Sequence, residues 1–550
     1  MSAKVRKARN VAFGILVAFA SPSAFALPGD FDTTFSGGIF DVAISDCSGA
    51  ATSVAVQHDG RILVGGHSNS GSTCGNSDWS LVRLDADGSL DTTFGGGTGF
   101  VSVAVGGNGS PLGNFFGEPE GVLEALVLQS DGRIVGVGEA FDHTGNYDTV
   151  HVLRWNSDGS LDAGFGTGGM VETDLGSAGA IPTAVALQND GGILVTVASR
   201  TATSSSAQGV LRYTSTGALD TGFGAGGFVN LHSSLPGEAL IVPSLALQTD
   251  GRILIGASRK PYDPVVLRLT ATGALDTTFG IGGIAVAPTG QVHTPAARVI
   301  ALAPQPDGTI VGFANSNIGW LFRMRRNGDP DPTFGPRHQS YVRVPYASGP
   351  MLVLPTGAIR LYTGPYDTSF HVAGYTSAGA VDAGFVQTGG STPGESIQPN
   401  GSDFVTAMAL QPDGRFVASG GSASNDDFAF ARYEGDASQL RPKAFSFAGL
   451  TGVAPSTLQV SNAATIANLT ATAKVPVTIT GGSYSINGGA FTTRLGFVAN
   501  GDQVSVEHTS SATSGASVTT TLRVGGLATP NAPWVVNGSQ IVAKFTTTTQ

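Results

Sequence analysis

A repeated motif constrains the fold of this 550-residue chain more than any other feature. The motif Asp-x-x-Phe occurs seven times, at Asp32–Phe35, Asp91–Phe94, Asp162–Phe165, Asp220–Phe223, Asp276–Phe279, Asp331–Phe334 and Asp382–Phe385. Seven turns interleave with these copies: Asp-Gly at Asp59, Asp131, Asp190, Asp250, Asp307 and Asp413, and Thr356-Gly357. Self-similarity at a regular interval is typical of repeat architectures, in which each unit is one supersecondary element.

Each unit predicts four short strands. Val54–Val56 and Arg61–Val64 flank an Asp-Gly turn, which is a strong hairpin signal because glycine adopts the positive φ that the turn requires. First strands such as Ala184–Leu187 are apolar at successive positions, as expected of strands that are covered on both faces. Units of about 50 to 72 residues have room for a four-stranded blade, so we predict an all-β chain.

The register of the repeat predicts how the units close. The first copy begins at the Asp-x-x-Phe motif, whereas the last copy ends at its third strand, Phe428–Tyr433. The seventh unit therefore lacks a fourth strand, and a strand at Ile39–Ile44 is left over at the start. Pairing the two would remove both open edges, so we predict a seven-bladed β-propeller that is closed by its N-terminal strand.

The residues of the repeat resemble a known family. Leu90-Asp91-Thr92-Thr93-Phe94-Gly95, with the preceding Gln-x-Asp-Gly-Arg-Ile and Leu-x-Arg elements, resembles the delta-60 repeat of large exported bacterial proteins. The layout is also similar to that of NHL repeats. The resemblance covers Phe31 to Tyr433 and implies a propeller-like fold outside the cytoplasm, with no defined activity. Copy six departs most, because Gly374 replaces the third-strand arginine and Thr356 replaces the turn aspartate.

The first 26 residues predict a secretory signal peptide. Basic residues at positions 4, 6, 7 and 9 precede the apolar stretch Val11–Ala20, and Ala24-Phe25-Ala26 is a small-x-small cleavage site. This apolar stretch is too short to cross a bilayer, which takes about 20 residues; an uncleaved N-terminal anchor is the alternative. We therefore expect Sec-type export to the periplasm, the cell surface or the medium, and no membrane span.

Charge and cysteine content narrow the partners. The leader holds four of the 29 basic residues and none of the 40 acidic ones, so the rest of the chain has a net charge of −15. This charge argues against nucleic acid as a partner, since nucleic-acid phosphates are bound by Lys and Arg.

In an oxidising compartment Cys47 and Cys74 are expected to form one disulfide, with free thiols as the alternative. We expect a monomer.

Beyond Leu440 the repeat stops. Short segments rich in Val, Thr and Ser, such as Val475–Ile479 and Gln503–Glu507, alternate with turns that include Asn487-Gly488. This spacing predicts a small β-sandwich, and the stretch Gly481–Phe491 resembles sandwich modules of bacterial surface proteins. The predicted domains are the leader at 1–26, the propeller at 27–440 and the β-sandwich at 441–550.

An arginine and an aspartate recur eight residues apart in five units. The pairs are Arg83 and Asp91, Arg154 and Asp162, Arg212 and Asp220, Arg268 and Asp276, and Arg323 and Asp331. A tight turn would bring each pair across a hairpin, where guanidinium and carboxylate form a charge-assisted bond. We interpret the pairs as scaffold, because a residue that every blade needs builds the blade.

Calcium at Asp85–Asp91 is disfavoured, since the equivalent turn Thr214–Gly217 has no carboxylate.

The variable loops hold the candidate binding residues. Loops between second and third strands, and loops between blades, emerge on one face and carry nearly all the variation in length. The candidate contacts on these loops are Asp78, Phe115, Phe116, Asp148, Asp263 and Asp427. Apolar side chains on such loops are typical of ligand contacts; packing against a blade edge is the alternative.

The sequence contains no catalytic or metal-binding motif and predicts no cofactor. We therefore predict an exported binding or adhesion scaffold for a protein or carbohydrate at the cell surface, and no enzymatic activity. The alternatives are a purely structural role in the cell envelope and a metal-dependent lyase or hydrolase that uses His67, His143 or His371.

Overall fold

The structure of the protein is a computed structural model. It describes residues 4–7, 30–32, 34–36, 39–44, 49–57, 59–70, 76–105, 121–140, 149–176, 180–199, 208–232, 241–259, 263–289, 297–315, 318–344, 349–363, 371–385, 395–396, 403–411, 414–422, 428–434, 442–469, 474–494, 496–529 and 532–550. Of residues 4–7, 39, 70, 76–77, 140, 241–243, 395–396, 403, 422, 526–529 and 532–540 it describes the backbone alone. Within these segments we find no apolar helix of the length that a bilayer span requires.

The repeats form a series of antiparallel four-stranded sheets. The chain begins with β1 (Lys4–Lys7) and β2 (Ile39–Ala43). Blades one to three are β3–β6 (Gly49–Val56, Ile62–Ser70, Asn76–Leu84, Phe100–Val103), β7–β10 (Gly121–Leu128, Ile134–Ala140, Thr149–Trp155, Met170–Asp174) and β11–β14 (Ala180–Leu187, Ile193–Ser199, Gly209–Tyr213, Phe228–Asn230). Blades four to six are β15–β18 (Ile241–Leu247, Ile253–Arg259, Asp263–Leu269, Ile284–Val286), β19–β22 (Arg298–Pro304, Ile310–Asn315, Gly319–Met324, Tyr341–Val344) and β23–β26 (Met351–Val353, Ile359–Tyr362, Val372–Tyr375, Glu395–Ser396). Blade seven joins β27–β29 (Asp403–Leu410, Phe416–Ser422, Phe428–Tyr433) to β2.

The sequence pattern explains these strands. The turn before β4 has Gly60 at φ 90°, a conformation that a side chain would strain. Inner strands are covered on both faces by neighbouring sheets, and every residue of β9 is buried. The buried clusters lie between successive blades; one extends from Trp79 through Trp155 to Tyr213. The fold is therefore a β-propeller, and the predicted all-β class is confirmed.

Blade seven contains both ends of the repeat region. Strand β2 pairs antiparallel with β29, with Ile39 opposite Ala431 and Val42 opposite Phe428. Phe40 stacks on Phe430 with ring centroids 5.3 Å apart. This is the pairing expected of Ile39–Ile44, and it makes the first residues of the repeat the outer strand of its last blade. On the other side of β2, β1 adds a further antiparallel strand.

The C-terminal region forms two further sheets. Its strands are β30 (Leu450–Val453), β31 (Leu458–Val460), β32 (Ala464–Thr465), β33 (Val475–Thr480), β34 (Ser483–Ile486), β35 (Gly496–Val498), β36 (Gln503–Thr509), β37 (Ser517–Thr529) and β38 (Ala532–Thr549). One sheet has the order β30-β38-β37-β33-β35, and in the other β31, β32 and β34 pair with β36. Buried His508 links the two sheets, because its ring nitrogens lie 2.7 Å from the hydroxyls of Thr520 and Thr547.

Candidate functional site

The connections between strands give the propeller two unlike faces. Because strands alternate in direction, the turns after each first and third strand emerge together. We call this end the turn face; it carries the Asp-Gly turns and the Asp-x-x-Phe turns. The opposite end, which we call the loop face, carries the loops after each second strand and the connections between blades. The repeated residues therefore lie on the turn face, and the differences in loop length lie on the loop face.

Each predicted Arg–Asp pair meets across the turn between third and fourth strands. The distance from arginine Nε to aspartate Oδ2 is 2.6 Å for Arg83 and Asp91, 2.8 Å for Arg154 and Asp162, 2.9 Å for Arg268 and Asp276, and 2.6 Å for Arg323 and Asp331. Arg212 forms an ion pair with Asp220 and also contacts Asp190 at 2.5 Å. The same bond closes the ring, since Arg432 Nε lies 2.8 Å from Asp32 Oδ2.

The arginine also ties its blade to the next one. In blade four the guanidinium of Arg268 lies 4.5 Å from the ring centroid of Phe279, and Nη1 donates to the carbonyl oxygen of Arg326 in blade five at 2.5 Å. The Phe279 ring packs against Gly328, where φ is 93° and a Cβ would lie 3.0 Å from the ring. We call this arrangement of arginine, aspartate, phenylalanine and the glycine of the following blade the latch.

Latches recur around the ring. Arg83, Arg154, Arg323 and Arg432 likewise donate to carbonyl oxygens of the following blade, at Ser157, Ser215, Ser377 and Ala86. Their guanidinium groups lie 4.4 to 5.0 Å from the rings of Phe94, Phe165, Phe334 and Phe35. The most repeated polar residues are thus engaged in joining blades, which leaves them little freedom to hold a ligand.

Blade six builds its latch with an arginine from another strand. Gly374 occupies the third-strand position, and Arg360 stands opposite it on the second strand. Arg360 is fully buried, lies 3.1 Å from Asp382 and places its guanidinium 4.2 Å from the Phe385 ring centroid. A Cβ at Gly374 would lie 2.7 Å from Phe385. In blade six the guanidinium that pairs with Asp382 therefore comes from the second strand. The absence of a side chain at Gly374 leaves space for Phe385 beside it.

The latch carboxylates are held in their charged form. Burial opposes ionisation of Asp276, but hydrogen bonds from Thr278 and Arg252 and the charge of Arg268 outweigh it and lower the pKa to about 2. The pKa values of Asp32, Asp91 and Asp331 are also lowered, because hydrogen bonds from the threonine two residues on and a paired arginine outweigh burial.

The first strand of each blade described above lines a central channel. The cavity in it has a volume of about 1010 Å³. Its wall includes Thr52–Val56, Glu124–Leu128, Thr183, Ala184, Ser244, Arg298, Ile300–Pro304, Met351–Leu354 and Phe404–Leu410. Turn-face residues Asp250, Asp307 and Pro355 and the C-terminal residues Lys474 and Phe497 line the same cavity. The C-terminal sheets therefore lie at the turn-face end of the channel.

A bulge recurs in the first strand of most blades. Pairing shifts by one residue at Thr52, Glu124, Thr183, Ile300 and Thr406, all of which line the channel. A bulge leaves one residue unpaired and re-aims its side chain. Thr406 uses this freedom to donate to the carbonyl oxygen of Ala51 in blade one at 2.7 Å. Glu124 places a carboxylate where these other blades have Thr or Ile, and it is a site residue that the sequence patterns did not single out.

Two of the candidate loop residues are described. Asp78 lies opposite Ser68, near the loop end of β5. Asp263 forms an ion pair with Arg259 at 3.2 Å across the hairpin of β16 and β17. Phe115, Phe116, Asp148 and Asp427 lie outside the described residues, as do Cys47 and Cys74. Their roles in ligand contact and in a disulfide stay predictions.

The residues that the sequence offered for metal binding are an aspartate-containing turn and single histidines. Asp87 accepts hydrogen bonds from the backbone and hydroxyl of Ser89 at 2.9 and 2.6 Å, as a turn-forming aspartate does. Burial lowers the pKa of His67, and His143 lies outside the described residues. In the described part of the chain, His, Cys, Asp and Glu side chains nowhere form a group of three that could hold a metal ion.

Comparison with known proteins agrees with the propeller class. A family model described as "Domain of unknown function (DUF5122) beta-propeller" matches residues 57–94, 129–165, 188–223 and 248–279. Each match runs from the first-strand turn to the phenylalanine of the latch. These matches agree with β-propeller repeats in this part of the chain. The delta-60 name stays a resemblance. No curated protein matches the sequence.

Solved structures with a similar course of the chain are distant in sequence. A catalytically inactive virginiamycin B lyase from Staphylococcus aureus with quinupristin has 11% identity and a TM-score of 0.40, over 72% of this chain and 99% of that one. A protein of unknown function from Bacteroides caccae has 11% identity and a TM-score of 0.29, over 64% and 90%. An ulvan lyase bound to -[GlcA(1-4)Rha3S]- has 12% identity and a TM-score of 0.33, over 64% and 78%.

We predict that Arg360 supports blade six as the third-strand arginines support other blades. Arg360→Met keeps the apolar stem but leaves Asp382 without the charge beside it, which should lower the free energy of unfolding by about 3 kcal/mol. The matched control is Arg298→Met, at an exposed channel position, which should change it by less than about 0.5 kcal/mol. Denaturant unfolding of both variants measures these free energies. Equal losses of stability in the two variants would contradict a supporting role for Arg360 in blade six.

The lowered carboxylate pKa values predict acid sensitivity. An aspartate whose pKa is lower in the folded than in the unfolded chain stabilises the fold above its unfolded pKa of about 3.9, and this contribution is lost as pH falls through the folded pKa. The melting temperature should therefore fall progressively from about pH 4 toward pH 2. Asp276→Asn should start lower and lose less over that range. A melting temperature that stays constant to pH 2 would be incompatible with charged latches.

Proposed function

We propose that this protein is an exported scaffold that binds a protein or a glycan through the loop face of the propeller. The observation that carries the proposal is the division between the two faces. Latches of the same residue types recur on the turn face of blades one, two, four, five and seven, whereas the loop face carries segments whose lengths differ from blade to blade. A binding site for one particular ligand needs residues that are not repeated.

The C-terminal sheets further favour the loop face. Lys474 donates its backbone N–H to the carbonyl oxygen of Pro355 at 3.5 Å, on the turn face of blade six. Phe447 belongs to the same buried cluster as Leu354 and Ala358 of that turn. Since these contacts lie at the turn-face end of the channel, a ligand would approach from the other end.

The chemistry of the channel wall suits a polar, uncharged or mixed-charge ligand. Arg298 at the start of β19 is exposed, and Glu124 departs from the repeat in blade two. Both lie in the half of their strand nearer the loop face. Together they offer charged hydrogen-bonding groups above an apolar wall, as carbohydrate and peptide ligands require. The proposal assigns recognition to this site and no chemical step.

The proposed setting outside the cytoplasm gives the two cysteines a role. Cys47 precedes β3 and Cys74 lies between β4 and β5, so both belong to connections on the loop face of blade one. A disulfide between them would span 27 positions. By loop entropy it would stabilise the closed ring by about 3 kcal/mol.

We predict that shortening the connection between β6 and β7 weakens binding. Replacing residues 107–120 by Gly-Ser-Gly-Ser removes the longest loop-face insertion between blades one and two, and should reduce affinity at least tenfold, about 1.4 kcal/mol, for any ligand found on glycan arrays or in envelope extracts. Ile281→Ser is the matched control, because Ile281 is 91% exposed on the turn face. The affinity of the Ile281→Ser variant for the same ligand should be unchanged.

Two results would contradict this proposal. If neither glycan arrays nor envelope extracts yield a ligand, the scaffold function is wrong. If Ile281→Ser weakens binding as much as the shortened loop does, the ligand does not use the loop face.

A further inference from the structure

The turn that follows the latch of blade five differs from the corresponding turns of other blades. Blades two, three and four continue from the latch phenylalanine with Gly-x-Gly-Gly, whereas blade five continues from Phe334 with Gly-Pro-Arg-His-Gln-Ser, which is six residues in place of four. The turn closes in the same way, since Ser340 donates its backbone N–H to the carbonyl oxygen of Phe334 at 2.9 Å, as Gly283 does to Phe279 in blade four. We call residues 335–340 the basic turn.

Three residues of the basic turn have a left-handed backbone although they carry side chains. The φ angle is 56° at Arg337, 61° at His338 and 67° at Ser340. Of the seven non-glycine residues with positive φ in the described part of the chain, three therefore lie in this turn. In blade four the left-handed positions are taken by glycines, including Gly282 at 65° and Gly283 at 97°. A Cβ makes this conformation unfavourable, and strain that glycine would relieve points to a role for the side chains themselves.

The side chains of Arg337 and His338 are both exposed on the turn face. The Nδ1 atom of His338 lies 2.8 Å from the carbonyl oxygen of Pro332. Because a carbonyl oxygen only accepts hydrogen bonds, Nδ1 carries the proton, and Nε2 of the neutral ring is an acceptor that points away from this bond. Arg337 makes no ion pair with a carboxylate in the described part of the chain. The basic turn therefore offers a guanidinium donor beside an imidazole acceptor.

Blade five is basic although the protein is acidic. Residues 297–344 contain six arginines and three aspartates, with no lysine or glutamate, which gives a net charge of +3. The chain after the leader has a net charge of −15. The turn that ends the third strand also departs from that of blade one, because Arg325 begins it where blade one has Asp85. Long-range electrostatics therefore attract an anionic ligand to blade five and repel it from most of the remaining surface.

We propose that the basic turn binds an acidic polysaccharide, in which a sugar carries a carboxylate beside hydroxyl groups. The carboxylate accepts hydrogen bonds from the planar guanidinium of Arg337, whose fork of donors matches its two oxygens. A hydroxyl of the same sugar donates to Nε2 of His338, which a carboxylate cannot do. Two exposed side chains suit one or two sugars, whereas a stable protein partner needs about 800 Å² of each surface.

The basic turn lies on the turn face of blade five, at the other end of the blade from the loop face. This inference therefore goes beyond the proposed function and does not depend on which ligand the loop face binds.

Titration calorimetry of the full-length protein with oligosaccharides of polygalacturonate measures this binding. Arg337→Gly and His338→Gly should each weaken it by about tenfold or more. The melting temperature of both variants should stay the same or rise, because glycine adopts the left-handed backbone without strain. Ser340→Gly is the matched control: it removes strain from the same turn, but Ser340 is buried, with 3% of its surface exposed, so the affinity should be unchanged.

Further probes separate the basic turn from the loop face, and carboxylated sugars from other anions. Replacing residues 107–120 by Gly-Ser-Gly-Ser should leave the affinity for polygalacturonate unchanged. Neutral galactan oligosaccharides and poly-L-glutamate should bind more weakly by about tenfold or more. The proposal is overturned if polygalacturonate does not bind, if Ser340→Gly weakens binding as much as Arg337→Gly does, or if poly-L-glutamate binds equally well.

Discussion

Five third-strand arginines each make an ion pair within their own blade or across the ring closure and donate a hydrogen bond to the backbone of the next blade: Arg83, Arg154, Arg268, Arg323 and Arg432. A propeller has a channel where a globular domain has a core, so contacts between neighbouring blades must hold it together. Arg268, Asp276 and Phe279 show how: the carboxylate neutralises the guanidinium, the ring covers it, and the remaining donor reaches the carbonyl oxygen of Arg326. Removing one partner would leave a buried charge unmatched, which costs more than the pair itself contributes.

The sequence predicted the parts of this arrangement that recur at constant spacing. The interval of eight residues between Arg83 and Asp91 places them across one turn, and the offset of the repeat places Ile39–Ile44 beside the last blade. The role of Arg360 in place of the missing third-strand arginine of blade six was not predicted. Arg360 and Gly374 are neighbours only through strand pairing and are 14 positions apart in sequence. The bulge that turns Glu124 toward the channel has no local sequence signal either, since a bulge is a property of how two strands pair.

The residues that stabilise the ring and the residues proposed to bind the ligand of the scaffold lie on opposite faces of the propeller. The polar residues that recur in most blades form the latches on the turn face, and the C-terminal sheets cover one end of the channel there. Differences between blades accumulate in the loop-face connections and at a few wall positions, such as Glu124 and Arg298. Repetition in the sequence therefore marks what stabilises the ring, and departure from repetition marks where a ligand would be recognised.

A double-mutant cycle on Asp32 and Arg432 measures whether the two ends of the repeat region close the ring. The two residues are 400 positions apart in sequence, and their side chains lie 2.6 Å apart at the junction of the chain ends. Asp32→Ala and Arg432→Ala should each destabilise the protein, while the double variant should be little worse than either, with a coupling energy above about 1 kcal/mol. Additive effects, with a coupling at or below that value, would show that the two ends of the repeat region are not joined by this latch.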